Sequence, residues 1–496
     1  MSFVSIRFPI FLTLALLAFF VSPKKYRWRA LLASSYAFYW LLGGWFALAM
    51  ISSTIATVYF SGLWIAFLRE KKAKRAVRRT PLAICLILNF GLLLFLKFSN
   101  IFIPNAGILL IPGISFYTFQ AAGYLIDIYK GKAEALKNPL KTALFLSFFP
   151  QLIQGPISRY ENLAEDLFAG RDWDWERSRR GVQRLIWGYF MKFVIANHAA
   201  PVVNTALGDY SSHGGTLILF ATFVYSVQIY ADFAGGINIA LGVGEIVGVK
   251  LPENFRQPFF ANSLADFWRR WHMTLGAWLK DYMFYPMAIS RPLGKLGKFT
   301  RKIFGARIGK MLPAGVATFC VYLVMGVWHG SGANLFVFGI LNGLIITASL
   351  YMEPVIKKMR VKTKFDGSKG VGKILAVFRT LALLTILRYF ARADSLTTAL
   401  KMLRHTVFHP RIRELWNGAL LNLGLSGFDY LLLGAGAAAL LIRDVYAERG
   451  RDCRELLNGR GPFVQFSAIL AALLMITFFG IYSDSALSAE FIYAQY

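Results

Sequence analysis

Val321-Tyr322-Leu323-Val324-Met325-Gly326-Val327-Trp328-His329-Gly330 is an apolar run that closes on an ionisable side chain. With the residues from 312 onward it reaches the ~20 residues a helix needs to cross a ~30 Å hydrocarbon core. A charged group at bilayer depth costs at least ~2–3 kcal/mol, so an imidazole there faces a cavity and acts in it. Its ordinary pKa of about 6.5 suits proton transfer near neutrality. A second histidine closes Asp266-Phe267-Trp268-Arg269-Arg270-Trp271-His272, a stretch dense in aromatics and charge. Two Trp-His pairs in one apolar chain point to chemistry inside a membrane.

The rest of the sequence has the same character. Hydrophobic residues make up 56% and charged residues 16% of the 496 residues, outside the range of soluble domains. The net charge of +29 sits in short loops between apolar segments, the positive-inside pattern, and meets anionic lipid headgroups rather than nucleic acid. Cys85, Cys320 and Cys453 are isolated, so neither a disulfide framework nor a metal-ligand spacing is present. No metal site and no bound cofactor are expected. The segment from Phe8 to Val21 is followed, not preceded, by its positive charges, and reads as a retained span.

The expected fold is an all-α polytopic membrane protein of about 10–12 transmembrane or re-entrant helices plus interfacial helices. Spans are expected at 3–21, 28–68 (two, joined near Gly43-Gly44), 81–98, 106–128, 183–200, 215–245, 312–330, 334–352, 374–390, 419–442 and 463–482. Residues 139–156, ending in Phe149-Pro150-Gln151-Leu152-Ile153-Gln154-Gly155-Pro156, suggest a broken or re-entrant helix. Residues 157–183 read as an interfacial helix, and 251–290 as a horizontal or cavity-lining helix pair. Arg291–Lys310 and Lys357–Lys373 read as cytoplasmic basic loops, and loop charge places both termini outside. The chain is treated as one integral-membrane domain, 1–496, with N-terminal helices at 1–130, a core at 131–352, C-terminal helices at 353–482 and an outer tail at 483–496.

Each candidate residue has a chemical and a plainer reading. His329 fits a base that takes a proton from an acceptor hydroxyl; a neutral histidine bonded to a carbonyl is the alternative. His272 fits either catalysis or an interfacial polar network with Asp266, Arg269 and Arg270. The two arginines suit donor phosphates or lipid headgroups. Gln154 and Arg159 lie on a cavity rim or a helix terminus. Asp232 and Asn238 are polar groups in an apolar span whose glycines also permit close helix packing.

These residues carry a resemblance. Gln154-Gly155-Pro156-Ile157-Ser158-Arg159-Tyr160, the Asp266–His272 block, Trp328-His329-Gly330, Phe390-Ala391-Arg392-Ala393-Asp394-Ser395 and Phe491-Ile492-Tyr493-Ala494-Gln495-Tyr496 resemble the membrane-bound O-acyltransferases. Within that family the likeness is to the bacterial branch of AlgI and PatA, related to DltB. The resemblance implies a helical bundle around a central tunnel or funnel meeting at His329, with His272 as the second catalytic histidine. It places Trp328, Trp271, Arg269, Arg270, Gln154, Arg159 and Asn238 along the tunnel or donor site. It also implies acetyl-CoA as donor, an extracytoplasmic glycan as acceptor, a separate SGNH or esterase-like partner, and a bacterial inner-membrane location. Tyr493 falls on the family's tyrosine and is the acyl-acceptor candidate. The C-terminus departs from the usual pattern at Ala494 and Tyr496, which makes Tyr496 a second candidate. D-alanyl transfer to teichoic acid, a transporter and a non-enzymatic scaffold of a polysaccharide export machine are the competing functions.

Overall fold

The computed structural model describes residues 1–102, 111–363, 367, 369–482 and 491–492. Among these, eight helices are long and apolar enough to cross a bilayer, and no strand occurs beyond one isolated bridge between Phe255 and Trp271. The protein is an all-α, multi-pass membrane protein. Its described residues divide into two compact units, one formed by 1–194, 231–253 and 454–496, the other by 195–230 and 254–453.

The first unit opens with a short helix, Arg7–Val21, and a long one, Arg27–Glu70. The long helix breaks where expected: Gly43 and Gly44 leave helical geometry, and Gly44 takes φ +63°, a region glycine enters without a Cβ clash. Of the span expected at 106–128, residues 106–110 lie outside the described residues, and a helix runs from Ile114 to Lys130. Every side chain from Ile114 to Leu125 is buried, so this helix is enclosed by protein rather than lipid. Residues 139–156 form the expected broken helix, Pro139–Ser147 followed by Phe149–Leu152. The unwound chain is held by side chains, since Gln151 donates to the Pro156 carbonyl at 2.8 Å and Gln120 to the Phe145 carbonyl at 2.6 Å. Phe3, Phe8, Phe38, Phe149, Ile153 and Phe491 share this unit's core.

In the same unit the helix Trp175–Phe190 runs into a π-helical turn, Met191–Ala196. Gly181 and Gly188 lie against Gly242 and Gly235 of the helix Gly215–Val247 so closely that a Cβ at Gly188 would stand 2.7 Å from the Gly235 carbonyl oxygen. Small residues here let two backbones touch.

The second unit holds two short helices, Leu264–Arg270 and Met273–Leu279, then the long helices Arg291–His329, Ala333–Thr363 and Gly370–Arg392. The basic stretch Arg291–Lys310, expected as a loop, is helical instead. Ser290 caps its N-terminus by accepting from the Leu293 N–H, Pro292 sits in the first turn, and Gly305 at φ +85° turns the helix before the apolar part begins. Basic residues mark a side of the membrane without deciding between loop and helix.

Candidate active site

Arg291–His329 and Ala333–Thr363 pack as a tight hairpin around His329. A Cβ at Gly326 would stand 2.6 Å from the Leu335 carbonyl oxygen and 2.9 Å from Gly339 Cα. The backbones therefore cross in contact one turn before the histidine. The turn that follows, His329-Gly330-Ser331-Gly332, is fixed from the far side by Asn334. That buried amide donates to the Phe390 carbonyl at 3.0 Å and the Ala393 carbonyl at 2.7 Å, at the end of Gly370–Arg392. The Phe390–Ser395 stretch picked out in the sequence thus supports the histidine turn.

His272 lies between the two short helices in left-handed geometry, φ +48° and ψ +53°, a conformation that costs a non-glycine residue of order 1 kcal/mol. Asn254 holds it there. The Asn254 Oδ1 accepts from the Thr274 N–H at 3.0 Å and the Thr274 hydroxyl at 2.9 Å, and lies 3.2 Å from His272 Nδ1. A backbone N–H can only donate, so that amide oxygen is an acceptor and His272 Nδ1 carries the proton. Burial alone drives the imidazole pKa down to about 3, so the ring is neutral at physiological pH and its lone pair sits on Nε2.

Trp328 joins the two histidines. Its indole centroid is 5.8 Å from the His272 ring and 4.8 Å from the His329 ring. The imidazoles are therefore no farther apart than those two separations laid end to end. All three side chains are buried. Trp268 fastens the Asp266–His272 block to the hairpin, donating from its indole nitrogen to Asn342 Oδ1 at 2.9 Å and lying against Tyr322 and Phe338. Trp271 is fully buried among Phe255, Phe267 and Tyr230.

The other sequence candidates sort differently. Arg270 is held by Asp266 at 3.0 Å and Glu448 at 2.7 Å, whereas the Arg269 side chain is 68% exposed. Gln154, Arg159 and Asn238 belong to the first unit. Gln154 is buried over Gly236, and among the described residues neither of its amide atoms has a hydrogen-bond partner. Arg159 is half-buried at the head of Tyr160–Ala169. Asn238 accepts from Arg184, which also pairs with Glu245 and Glu253. Asp232 forms a buried ion pair with Lys192 at 2.7 Å and accepts the Ile492 N–H at 2.7 Å. Tyr493 and Tyr496 lie outside the described residues.

Two groups in contact with the Trp271-His272 block went unnoticed in the sequence. Asn254 gave no signal, because its role is created by the chain returning to it at Thr274. Arg388 did give one, as one of two charges, with Arg379, inside the expected span 374–390.

The family model for "MBOAT, membrane-bound O-acyltransferase family" matches residues 133–304, which include His272 and stop short of His329. A protein named "Probable alginate O-acetylase AlgI" from Pseudomonas fluorescens is 32% identical over 330 residues, 65% of this chain and 62% of its own length. The match thus spans less than two thirds of that relative. "Peptidoglycan O-acetyltransferase" from Helicobacter pylori is 30% identical over 398 residues, 73% of this chain and 70% of its own. "Teichoic acid D-alanyltransferase" from Bacillus subtilis is 28% identical over 263 residues, 52% of this chain and 63% of its own. Taken with the paired histidines and the helical membrane fold, these likenesses mean that the chain belongs to the membrane-bound O-acyltransferase family.

Proposed function

We propose that this protein is a membrane O-acetyltransferase. It takes acetyl groups from cytoplasmic acetyl-CoA and delivers them across the bacterial inner membrane for O-acetylation of an extracytoplasmic polysaccharide or cell-wall glycan. The observation that carries this reading is the convergence of His272 and His329 on the single indole of Trp328. Acyl transfer from a thioester to a hydroxyl needs a base, a second group that positions the substrates, and shelter from water. His329 takes the hydroxyl proton. His272, kept neutral by burial, presents an Nε2 lone pair that accepts from another donor group of the bound substrates and so positions them beside His329.

The exposed Arg269 suits a donor phosphate, while Arg270 is engaged by two carboxylates and braces the block. Tyr493 remains the acceptor candidate, Tyr496 the second, and an SGNH or esterase-like partner completes delivery outside. The distribution of basic loops favours that outer side for both termini. Support for a tail role comes from the seating of Phe491 and Ile492 on the Lys192–Asp232 pair.

Release of CoA from acetyl-CoA by the full chain in nanodiscs tests the reading. Turnover is expected in the native protein and absent in His329→Ala; equal turnover in both removes His329 as the base. Turnover with a D-alanyl carrier thioester and none with acetyl-CoA favours teichoic acid alanylation instead. Normal polymer acetylation in a Tyr493→Phe strain rules out that acceptor.

A further inference from the structure

Arg388 lies near the end of Gly370–Arg392 and is 5% exposed. It is the only buried lysine or arginine among the described residues of its unit. Its guanidinium carbon stands 5.3 Å from the ring of Trp271, the residue before His272. Two residues further on, the Phe390 carbonyl is held by Asn334 of the His329 turn. Among the described residues no carboxylate forms an ion pair with Arg388, and its Nε has no hydrogen-bond partner. The other buried cations, Arg184 and Lys192, both have carboxylate partners.

A buried cation without a counter-charge is strongly disfavoured unless an anion joins it. A phosphate, near two negative charges, usually meets more than one cation, and here there is one. A thioester carbonyl is neutral at rest and gains a single negative charge only as the acceptor oxygen adds. A group built for charge that appears in the transition state is expected to be unpaired in the resting protein.

We propose that Arg388 stabilises the oxyanion formed at the acyl carbonyl during transfer, a role that rests on the acyltransferase reading above. The acceptor oxygen bonds to the carbonyl carbon and its proton passes to His329. The carbonyl π pair moves to oxygen, where the guanidinium receives it. Collapse restores the C=O bond and breaks the C–S bond, and the departing thiolate takes the proton back from the imidazolium. Thioester and alcohol become ester and thiol, with no other reactant.

The test is steady-state turnover of acetyl-CoA by the full chain in nanodiscs for the native protein, Arg388→Gln, Arg388→Lys and Arg388→Ala, with thermal midpoints measured alongside. Loss of an oxyanion contact is expected to lower kcat roughly 100–1,000-fold in Arg388→Gln. KM should stay near the native value, because the resting acyl group carries no charge. Arg388→Lys should fall between, and added methylguanidinium should restore part of the Arg388→Ala turnover. Thermal midpoints should hold or rise, since a buried uncompensated charge has gone. Native kcat in Arg388→Gln, an effect confined to KM, or a falling midpoint without chemical rescue overturns the role. A native chain silent toward both acetyl and D-alanyl thioesters removes the reaction and this role together; an active native chain with an active Arg388→Gln removes the role alone.

Discussion

Replacing Asn254 with leucine keeps the branching and heavy-atom count of the side chain and removes an acceptor on which three donors converge. The Thr274 hydroxyl can rotate toward another acceptor. The Thr274 N–H and the His272 Nδ1–H cannot, and Asn254 itself is fully buried, so water does not replace it readily. Each stranded donor costs about 1–3 kcal/mol, which puts the loss at about 2–6 kcal/mol for the turn that keeps His272 left-handed. At 1.4 kcal/mol per factor of ten, the lower figure corresponds to ~30-fold more frequent opening. Hydrogen exchange of the 264–279 segment should therefore speed up at the Thr274 amide by at least that factor in Asn254→Leu. CoA release should fall by about tenfold or more, as the imidazole loses its fixed tautomer. Asn254→Asp keeps all three hydrogen bonds and adds a negative charge beside the ring, which raises the His272 pKa from about 3. Its exchange should stay slow while the acid limb of its pH–rate profile moves upward. Unchanged Thr274 protection in Asn254→Leu would refute the assignment of the Asn254 oxygen as the anchor.

The protonation of His272 also couples to stability. The folded ring titrates near 3 and an unfolded one near 6.5, so between those values the unfolded chain binds more protons and acid favours it. Lowering the pH from 7 to 5 should cost ~2 kcal/mol, read as a falling thermal midpoint, and His272→Gln should flatten that slope; equal slopes in both proteins contradict it. Gly326→Ala puts a methyl 2.6 Å from the Leu335 carbonyl oxygen, so the hairpin must part. A loss of about 1–3 kcal/mol and a drop in turnover larger than that in an exposed-helix control are expected, measured by melting and CoA release. Asp232→Ala strands a buried lysine, at about 3–5 kcal/mol, and releases the Ile492 N–H. A cysteine placed at Phe491 should then react with a maleimide at least tenfold faster than in the Asp232 background, and unchanged labelling contradicts the anchoring.

Most of the helical scaffold could be read from the sequence because lipid leaves few options: long apolar runs become helices, and Gly43-Gly44 or Pro150 and Pro156 interrupt them by backbone chemistry alone. Charge misled the reading at Arg291–Lys310, since helix formation there is decided by capping and by the absence of an early breaker, not by polarity. His329 stood out because ionisable side chains are rare among apolar neighbours, and His272 because it closes a charged, aromatic block in an apolar chain. Their meeting at Trp328 was not legible, as it depends on Gly326 and Gly339 bringing two helices into contact and on Trp268 reaching Asn342. Arg270 and Asn238 were sensed as polar but not as braces, because their partners Glu448 and Arg184 lie far away in sequence.

The π-helical turn at Met191–Ala196 is, in effect, an accepted insertion. Such a turn holds one residue more than the α-helix around it requires, and that residue rotates everything after it by about 100°. Here Gly181, Gly188 and Lys192, spaced seven and four residues apart, already share one α-helical face, and the surplus residue changes the facing of the helix that follows, Asn197–Gly208. Deleting one residue within the turn should leave a regular, well-formed helix whose two halves no longer agree on which way they face. The same deletion in a neighbouring α-helical stretch would disturb packing on every side. The extra residue thus works as a phase adjuster, letting one rod serve two surfaces that an unbroken α-helix could not meet together.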